Sequence, residues 1–165
     1  MKAVVINNPH DISLKEVSIP TPPPGFARIQ VKAAAICATD LEVIEGNIAA
    51  VYPLIPGHEW SGIVDAVGSE ADAHWVGKNV IGSSDVVCLQ CDACRSGNWR
   101  YCESFEEIGF KRNGAYAEYV VVPERIVSKN TLILPNDLSF EKAAFCEPLA
   151  NVVHGAERTN ITAGD

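Results

Sequence analysis

Short runs rich in valine and isoleucine, separated by turn formers, fill most of the chain. Residues 2–6, 14–19 and 27–36 read as strands, and so do 60–67 and 115–122. The cluster Pro20-Thr21-Pro22-Pro23-Pro24-Gly25 separates the second run from the third. Proline lacks the N–H a ladder needs, so this cluster marks a strand-to-strand corner. Asn113-Gly114 ahead of the fifth run signals a turn, because both residues tolerate positive φ. Helical patterning comes late. A helix is predicted over 138–144 with Ser139 as N-cap, and a second over 148–158. Pro148 suits the first turn of the latter, and Leu149, Val152, Val153 and Ala156 make its apolar stripe. The pattern is mainly β with some α, a small barrel or sandwich rather than a doubly wound sheet. It contains no internal repeat, low-complexity segment or interdomain linker.

Composition narrows the function classes. At 165 residues the chain can bury one core, and 47% hydrophobic with 21% charged residues is ordinary for a water-exposed globular domain. Thirteen basic against twenty-one acidic residues give a net charge of −8, which argues against nucleic acids and anionic membranes as partners. No apolar run approaches the ~20 residues a membrane span requires. Six cysteines with no basic, apolar leader after Met1 predict reduced thiols and a cytoplasmic protein.

Four of those cysteines, Cys88, Cys91, Cys94 and Cys102, are spaced C-x2-C-x2-C-x7-C in a polar, turn-rich stretch. Four such thiolates can surround one tetrahedral zinc at Zn–S distances of roughly 2.3 Å. A [4Fe–4S] cluster also uses C-x2-C-x2-C, but that run closes with C-x3-C-P, whereas Cys102 is followed by Glu103. Two disulfides would need an oxidising compartment. The spacing favours structural zinc in a lobe of about 86–105, with the other two readings open. Elsewhere the candidate ligands are Cys37, Cys146, His10, His58, His74 and His154. Cys37 follows a strand, and His58 sits in Pro56-Gly57-His58-Glu59-Trp60. Each has an ordinary explanation, as a small buried hydrophobe or a satisfied polar contact, so local chemistry leaves a second metal site open. His10, His74 and His154 read as surface residues. Trp60, Trp75 and Trp99 read as packing residues, with Trp99 placed to cover the cysteine loop.

The run Gly57-His58-Glu59-Trp60-Ser61-Gly62-Ile63-Val64-Asp65-Ala66-Val67-Gly68 resembles the G-H-E-x2-G-x-V-x2-V-G signature of zinc-containing medium-chain alcohol and polyol dehydrogenases. Four further matches follow that family's order. Cys37-Ala38-Thr39-Asp40 is similar to its C-x-[ST]-D segment, and the four-cysteine loop has its spacing. Gly114-Ala115-Tyr116-Ala117-Glu118-Tyr119 resembles its G-A-[FY]-A-E-Y strand, and Glu147-Pro148-Leu149 the E-P-L of its sorbitol and threonine dehydrogenase branch. The resemblance runs from about residue 2 to the end.

It implies a GroES-like barrel with a structural-zinc lobe, spanning 1–165, and two zinc ions per chain. Cys37, His58 and Glu59 would hold the catalytic zinc, with Glu147 binding directly or through water. The alternative there is Cys146, since other branches use a cysteine in this region. Cys88, Cys91, Cys94 and Cys102 would hold the structural zinc. Asp40 would orient the histidine, its ordinary alternative being a helix N-cap ahead of 41–45. Thr39 would bond the substrate hydroxyl. Many relatives have a relay histidine where this chain has Glu42, so proton release would run through Glu42 or water. The implied substrate is a small alcohol, polyol or amino alcohol, and the implied hydride acceptor NAD or NADP. No G-x-G-x-x-G occurs among the twelve glycines, so no Rossmann domain is expected in these residues. Residues 148–165 would begin the connection to one. The chain then reads as the N-terminal catalytic domain of a longer, homo-oligomeric enzyme, binding zinc but inactive alone. The rival reading is a stand-alone zinc-binding interaction module without redox chemistry.

Overall fold

A computed structural model describes residues 1–123 and 131–159, apart from the side chains of 70–72. β1 (Lys2–Asn8) and β2 (Asp11–Glu16) form an antiparallel ribbon. Its turn is closed by His10, whose φ of 66° lies in the left-handed region. The main sheet is built from β3 (Phe26–Ala35), β4 (Glu59–Val67), β5 (Asn79–Gly82), β8 (Tyr119–Pro123) and β9 (Thr131–Ile133). Its order is β8-β3-β4-β5-β9, antiparallel throughout. β6 (Asp85–Val86) and β7 (Glu106–Glu107) pair separately and close the base of the four-cysteine loop.

Alternation along β3 and β4 puts Ile29, Trp60 and Val64 on one buried face with Val80, Val86, Ile108, Val120 and Val122. Burying each such side chain contributes about 1.5–3 kcal/mol. A second cluster of Ile6, Val43, Leu54 and Phe110 fastens α1 (Ala38–Glu45) to the ribbon. The four-cysteine loop carries a single-turn helix, α2 (Asp92–Arg95), and a 3-10 turn at Trp99–Tyr101. α3 (Phe140–Ala144) starts at Ser139, whose side chain accepts from the Lys142 N–H. Ser61 Oγ donates to Phe140 O at 2.7 Å and ties α3 to β4. α4 (Cys146–Thr159) follows directly, with Leu149 and Val152 of its apolar stripe exposed.

The expected barrel is not formed. The five-stranded sheet is open, with β8 and β9 as its outer strands among the described residues. Closure requires a continuous ladder between first and last strands. The β1–β2 ribbon instead meets the rest through isolated bridges, Ala3↔Ala117 and Ile6↔Leu54. Boundaries also moved. The second strand begins at Asp11 rather than 14, because the tight turn at His10 sets the ribbon's register. Residues 115–118 lie outside β8 but bond sideways, with Val4 N donating to Tyr116 O at 2.8 Å and Glu118 N to Lys2 O at 3.2 Å. Helices 138–144 and 148–158 are present as α3 and α4, and the expected run-on beyond 159 lies outside the described residues.

Asn113-Gly114 is a crossing rather than a hairpin turn. Asn113 Oδ1 accepts from Ile55 N at 3.0 Å, and Gly114 N donates to Ile55 O at 2.6 Å. A Cβ on Gly114 would stand 2.2 Å from Gly57 O and 2.6 Å from Pro56 O, both backbone atoms. Gly114→Ala must therefore displace one of the two segments. A loss of about 1–3 kcal/mol is expected from the denaturant midpoint, and an unchanged midpoint would refute the crossing.

Candidate functional site

The ladder between β3 and β4 ends at Ala35↔Glu59. The chain leaving β3 at Cys37 is thereby set beside the chain entering β4 at His58. Gly57, with φ of 97°, makes the bend that presents His58, and a Cβ there would lie 2.5 Å from the Tyr116 ring. One ligand atom from each of Cys37, His58 and Glu59 falls within 4.8 Å of the others. Thr39 Oγ1 is 3.3 Å from Cys37 Sγ. A thiolate, an imidazole and a carboxylate converging on one point suit zinc and leave a fourth position open.

Asp40 lies behind this cluster, 1% exposed. Its Oδ2 accepts from Cys37 N at 3.0 Å and from Tyr116 OH at 2.5 Å. Its Oδ1 faces His58 Nδ1 at 3.4 Å. Cys37 caps α1, and Asp40 reaches back from the third helical position, so Asp40 is not the N-cap the sequence suggested as an alternative. Burial opposes ionisation of Asp40, but bonds to His58, Tyr116 and the Cys37 N–H outweigh it and hold the carboxyl below its usual range. Burial likewise disfavours the charged imidazole of His58, yet Asp40 and Cys37 raise it to about 9. His58 Nδ1 and Asp40 Oδ1 are both buried without a well-formed hydrogen bond. With Nδ1 turned to the carboxylate, Nε2 is the nitrogen free for a metal. The donor set therefore fits a cation.

These residues open on a cavity of about 290 Å³ lined by Cys37, Thr39, His58, Phe105, Phe110 and Glu147. Ser84, Asp85, Arg100, Glu107 and Asn151 complete its wall. Glu147 is in the cavity but outside the close ligand cluster, and Asn151 Nδ2 donates to its Oε1 at 2.8 Å. Burial raises the Glu59 carboxyl, His58 pulls it down, and Glu147 adds to the rise. Cys146 packs against the cluster of Ile81, Leu134 and Ala143 and is not among those lining residues, although it lines an adjoining cavity with Glu147 and Asn151. Glu42 is exposed on α1 and accepts from Asn47 Nδ2 at 2.9 Å. His10, His74 and His154 are exposed. Trp60 is buried in the core, whereas Trp99 is half exposed. Tyr116 went unassigned in the sequence although it lies in a quoted motif. Phe110, whose ring sits 5.2 Å from that of His58, had no local signal.

The second cluster is Cys88, Cys91, Cys94 and Cys102, with all four sulfurs within 4.8 Å of one another. Cys88 Sγ and Cys94 Sγ are 3.8 Å apart. That is close to the ~3.8 Å edge of a tetrahedron with Zn–S bonds of about 2.3 Å. It is far from the ~2.05 Å of a disulfide, and all six cysteines are free. An iron–sulfur cubane gives each cysteine a different iron and needs a wider cage. Leu89, at φ 60°, turns the Gln90 and Cys91 N–H groups onto Cys88 Sγ at 3.5 and 3.3 Å. Those two bonds lower the Cys88 thiol to about 6, while burial and neighbouring sulfurs push Cys94 up to about 12. The Cys88 thiolate forms readily, whereas ionising Cys94 calls for a cation beside it.

Cys91→Ser leaves three thiolates and a poorly matched oxygen, and metal affinity in such a loop is folding free energy. The variant should lose one metal equivalent by elemental analysis. Residues ~86–105 should become protease-sensitive while the main sheet persists. Unchanged metal content and proteolysis would exclude a metal lobe.

The sequence matches the alcohol dehydrogenase GroES-like domain over residues 23–135. It is 38% identical over 181 residues to an erythritol/L-threitol dehydrogenase of Mycolicibacterium smegmatis, covering 100% of this chain and 49% of that protein. It is 38% identical over 157 residues to an L-threonine 3-dehydrogenase of Symbiobacterium thermophilum, covering 92% and 43%. The fold superposes with a TM-score of 0.90 on a candidate zinc-binding dehydrogenase of Sinorhizobium meliloti 1021 bound to NADP. That pair is 36% identical, over 99% of this chain and 46% of the other. The chain thus spans about half the length of the curated relatives it matches. It belongs to the zinc-dependent medium-chain alcohol dehydrogenase family, in its threonine and polyol dehydrogenase branch, and represents that family's GroES-like domain.

Proposed function

We propose that this chain is the zinc- and substrate-binding domain of an NAD- or NADP-dependent dehydrogenase acting on a small alcohol, polyol or amino alcohol. The observation that carries this reading is the convergence of Cys37, His58 and Glu59 beside the Thr39 hydroxyl, with Cys37, Thr39 and His58 lining one cavity. Cys37, His58 and Glu59 would hold the catalytic zinc, with Glu147 joining directly or through water. Cys88, Cys91, Cys94 and Cys102 would hold the structural zinc. A catalytic zinc, when bound, supplies Lewis acidity that makes a substrate hydroxyl easier to deprotonate.

The remaining work falls to the chain. Asp40 fixes the His58 ring with Nε2 toward the cavity. Thr39 Oγ1 would bond the substrate hydroxyl, receiving its proton while giving up its own toward solvent, and a nicotinamide, when bound, would supply the hydride acceptor. Thr39 and Glu42 stand three residues apart on α1 and so neighbour each other on its surface. The proton leaves toward solvent by way of Glu42 or water. Phe105 and Phe110 keep one wall of the cavity apolar beside these groups. The nicotinamide itself would be bound by residues outside those described here. Relatives twice as long support that arrangement, one of them solved with NADP.

The test is steady-state alcohol oxidation with NAD or NADP, alongside elemental analysis, on the chain extended to the length of its relatives. Two zinc ions per chain with negligible iron are expected. Thr39→Ala should keep both ions and lose on the order of 10²–10⁴ in kcat. His58→Ala and Cys37→Ser should lose activity together with one zinc. Full activity in Thr39→Ala would remove the proton role of Thr39, and full activity in His58→Ala would sink the whole site. Asp40→Asn should lower catalytic-zinc affinity by about 10–100-fold while leaving the lobe metal in place.

A further inference from the structure

The cavity wall away from the metal ligands is charged rather than apolar. Asp85 and Glu107 are direct partners across the β6–β7 pair, and both line the cavity. Both are half-buried. Arg100, carried on the 3-10 turn of the four-cysteine loop, is the one lysine or arginine among the described lining residues. No carboxylate among the described residues lies within ion-pair distance of it. Lys111, which with His58 and Arg100 acts on Glu107, donates to Phe105 O at 3.0 Å and lies outside the lining. Asp85 has local partners, its N–H on Ser83 Oγ at 3.0 Å and Ser84 Oγ 3.5 Å from its Oδ1. Those are weak neutral contacts. Glu147 adds a further carboxylate to the same cavity.

Half-buried carboxylates that outnumber the cations among the described lining residues favour an occupant that supplies positive charge. Burial raises both carboxyls, Arg100 and the His58 imidazole lower both, and Asp85 adds to the rise at Glu107. We propose that Asp85 and Glu107, with Arg100 delivered by the four-cysteine loop, form the specificity subsite of this cavity, taking a protonated amine on the substrate alcohol. The proposal rests on reading the cavity as an alcohol-oxidation site. An alkyl chain would leave the two carboxylates desolvated and unpaired, and a phosphorylated alcohol would meet like charge. Arg100 tempers the pair, so removing it should sharpen the preference for a cation.

The experiment compares dissociation constants of 1-amino-2-propanol and 1,2-propanediol for the zinc-loaded full-length protein by ligand-observed NMR. The two match in size and differ in charge. The wild type should prefer the amine. Asp85→Asn and Glu107→Gln should each cut that preference by about 10-fold, the scale of one hydrogen bond to a charged group. Arg100→Gln should raise it, with all three effects shrinking at high salt. Equal binding of the two ligands by the wild type, or equal loss of both in Asp85→Asn, would overturn the subsite while leaving the alcohol site standing. Binding of neither ligand would instead overturn the alcohol site, and the subsite with it.

Discussion

One buried carboxylate organises this domain. Asp40 accepts from the Cys37 N–H at the start of α1 and from the Tyr116 hydroxyl, and it faces the His58 imidazole. Tyr116 OH also lies 2.9 Å from Ala35 O, at the end of β3. Four separate stretches of chain are thus held about a single charge. An ionised group so deeply enclosed is tolerated only when its charge is compensated, here by two hydrogen bonds to Oδ2 and by the imidazole facing Oδ1. Any shift of β3, α1, the 56–58 bend or the 113–118 segment would strand it. The carboxylate that faces the His58 imidazole is therefore also the constraint that keeps the surrounding backbone in register.

Backbone proximity completes what the carboxylate begins. Segments 55–57 and 113–116 run so close that Gly114 leaves no room for a Cβ, and Ala115 N reaches Gly57 O at 2.9 Å. Gly57 bends at positive φ with the Tyr116 ring against it. The bend, the ring and the carboxylate depend on one another. This interdependence gives physical content to glycines and a tyrosine that touch neither proposed metal nor substrate.

Much of this was legible in the sequence. The β-branched runs located β3 and β4, and the cysteine spacing located a loop whose sulfurs do converge. Cys37, His58 and Glu59 stood in order along the chain, and the Ala35↔Glu59 register brings them together. What was not legible depends on pairing between distant short elements. Barrel closure could not be judged from strand count, because the ribbon's contacts are single bridges rather than a ladder. Asp85 and Glu107 look like ordinary surface acids until two two-residue strands set them face to face. The helix start was misplaced because Cys37 is a poor N-cap by residue type, and its backbone is satisfied by Asp40 three positions on.

The two ligand clusters differ in how far along the chain their supporting contacts reach, and this bears on the order in which they can be built during synthesis. Cys88 and Cys102 are 14 residues apart, whereas Asp40 and Tyr116 are separated by 76. Closing the longer loop costs about 1.5 kcal/mol more in chain entropy. Cys102 also leaves the ribosome before Tyr116. The four lobe cysteines can therefore be drawn together while the His58 cluster still lacks the hydroxyl that bonds Asp40. During synthesis the surface loop would close on itself first, and only afterwards would the pocket around His58 gain its full set of supports.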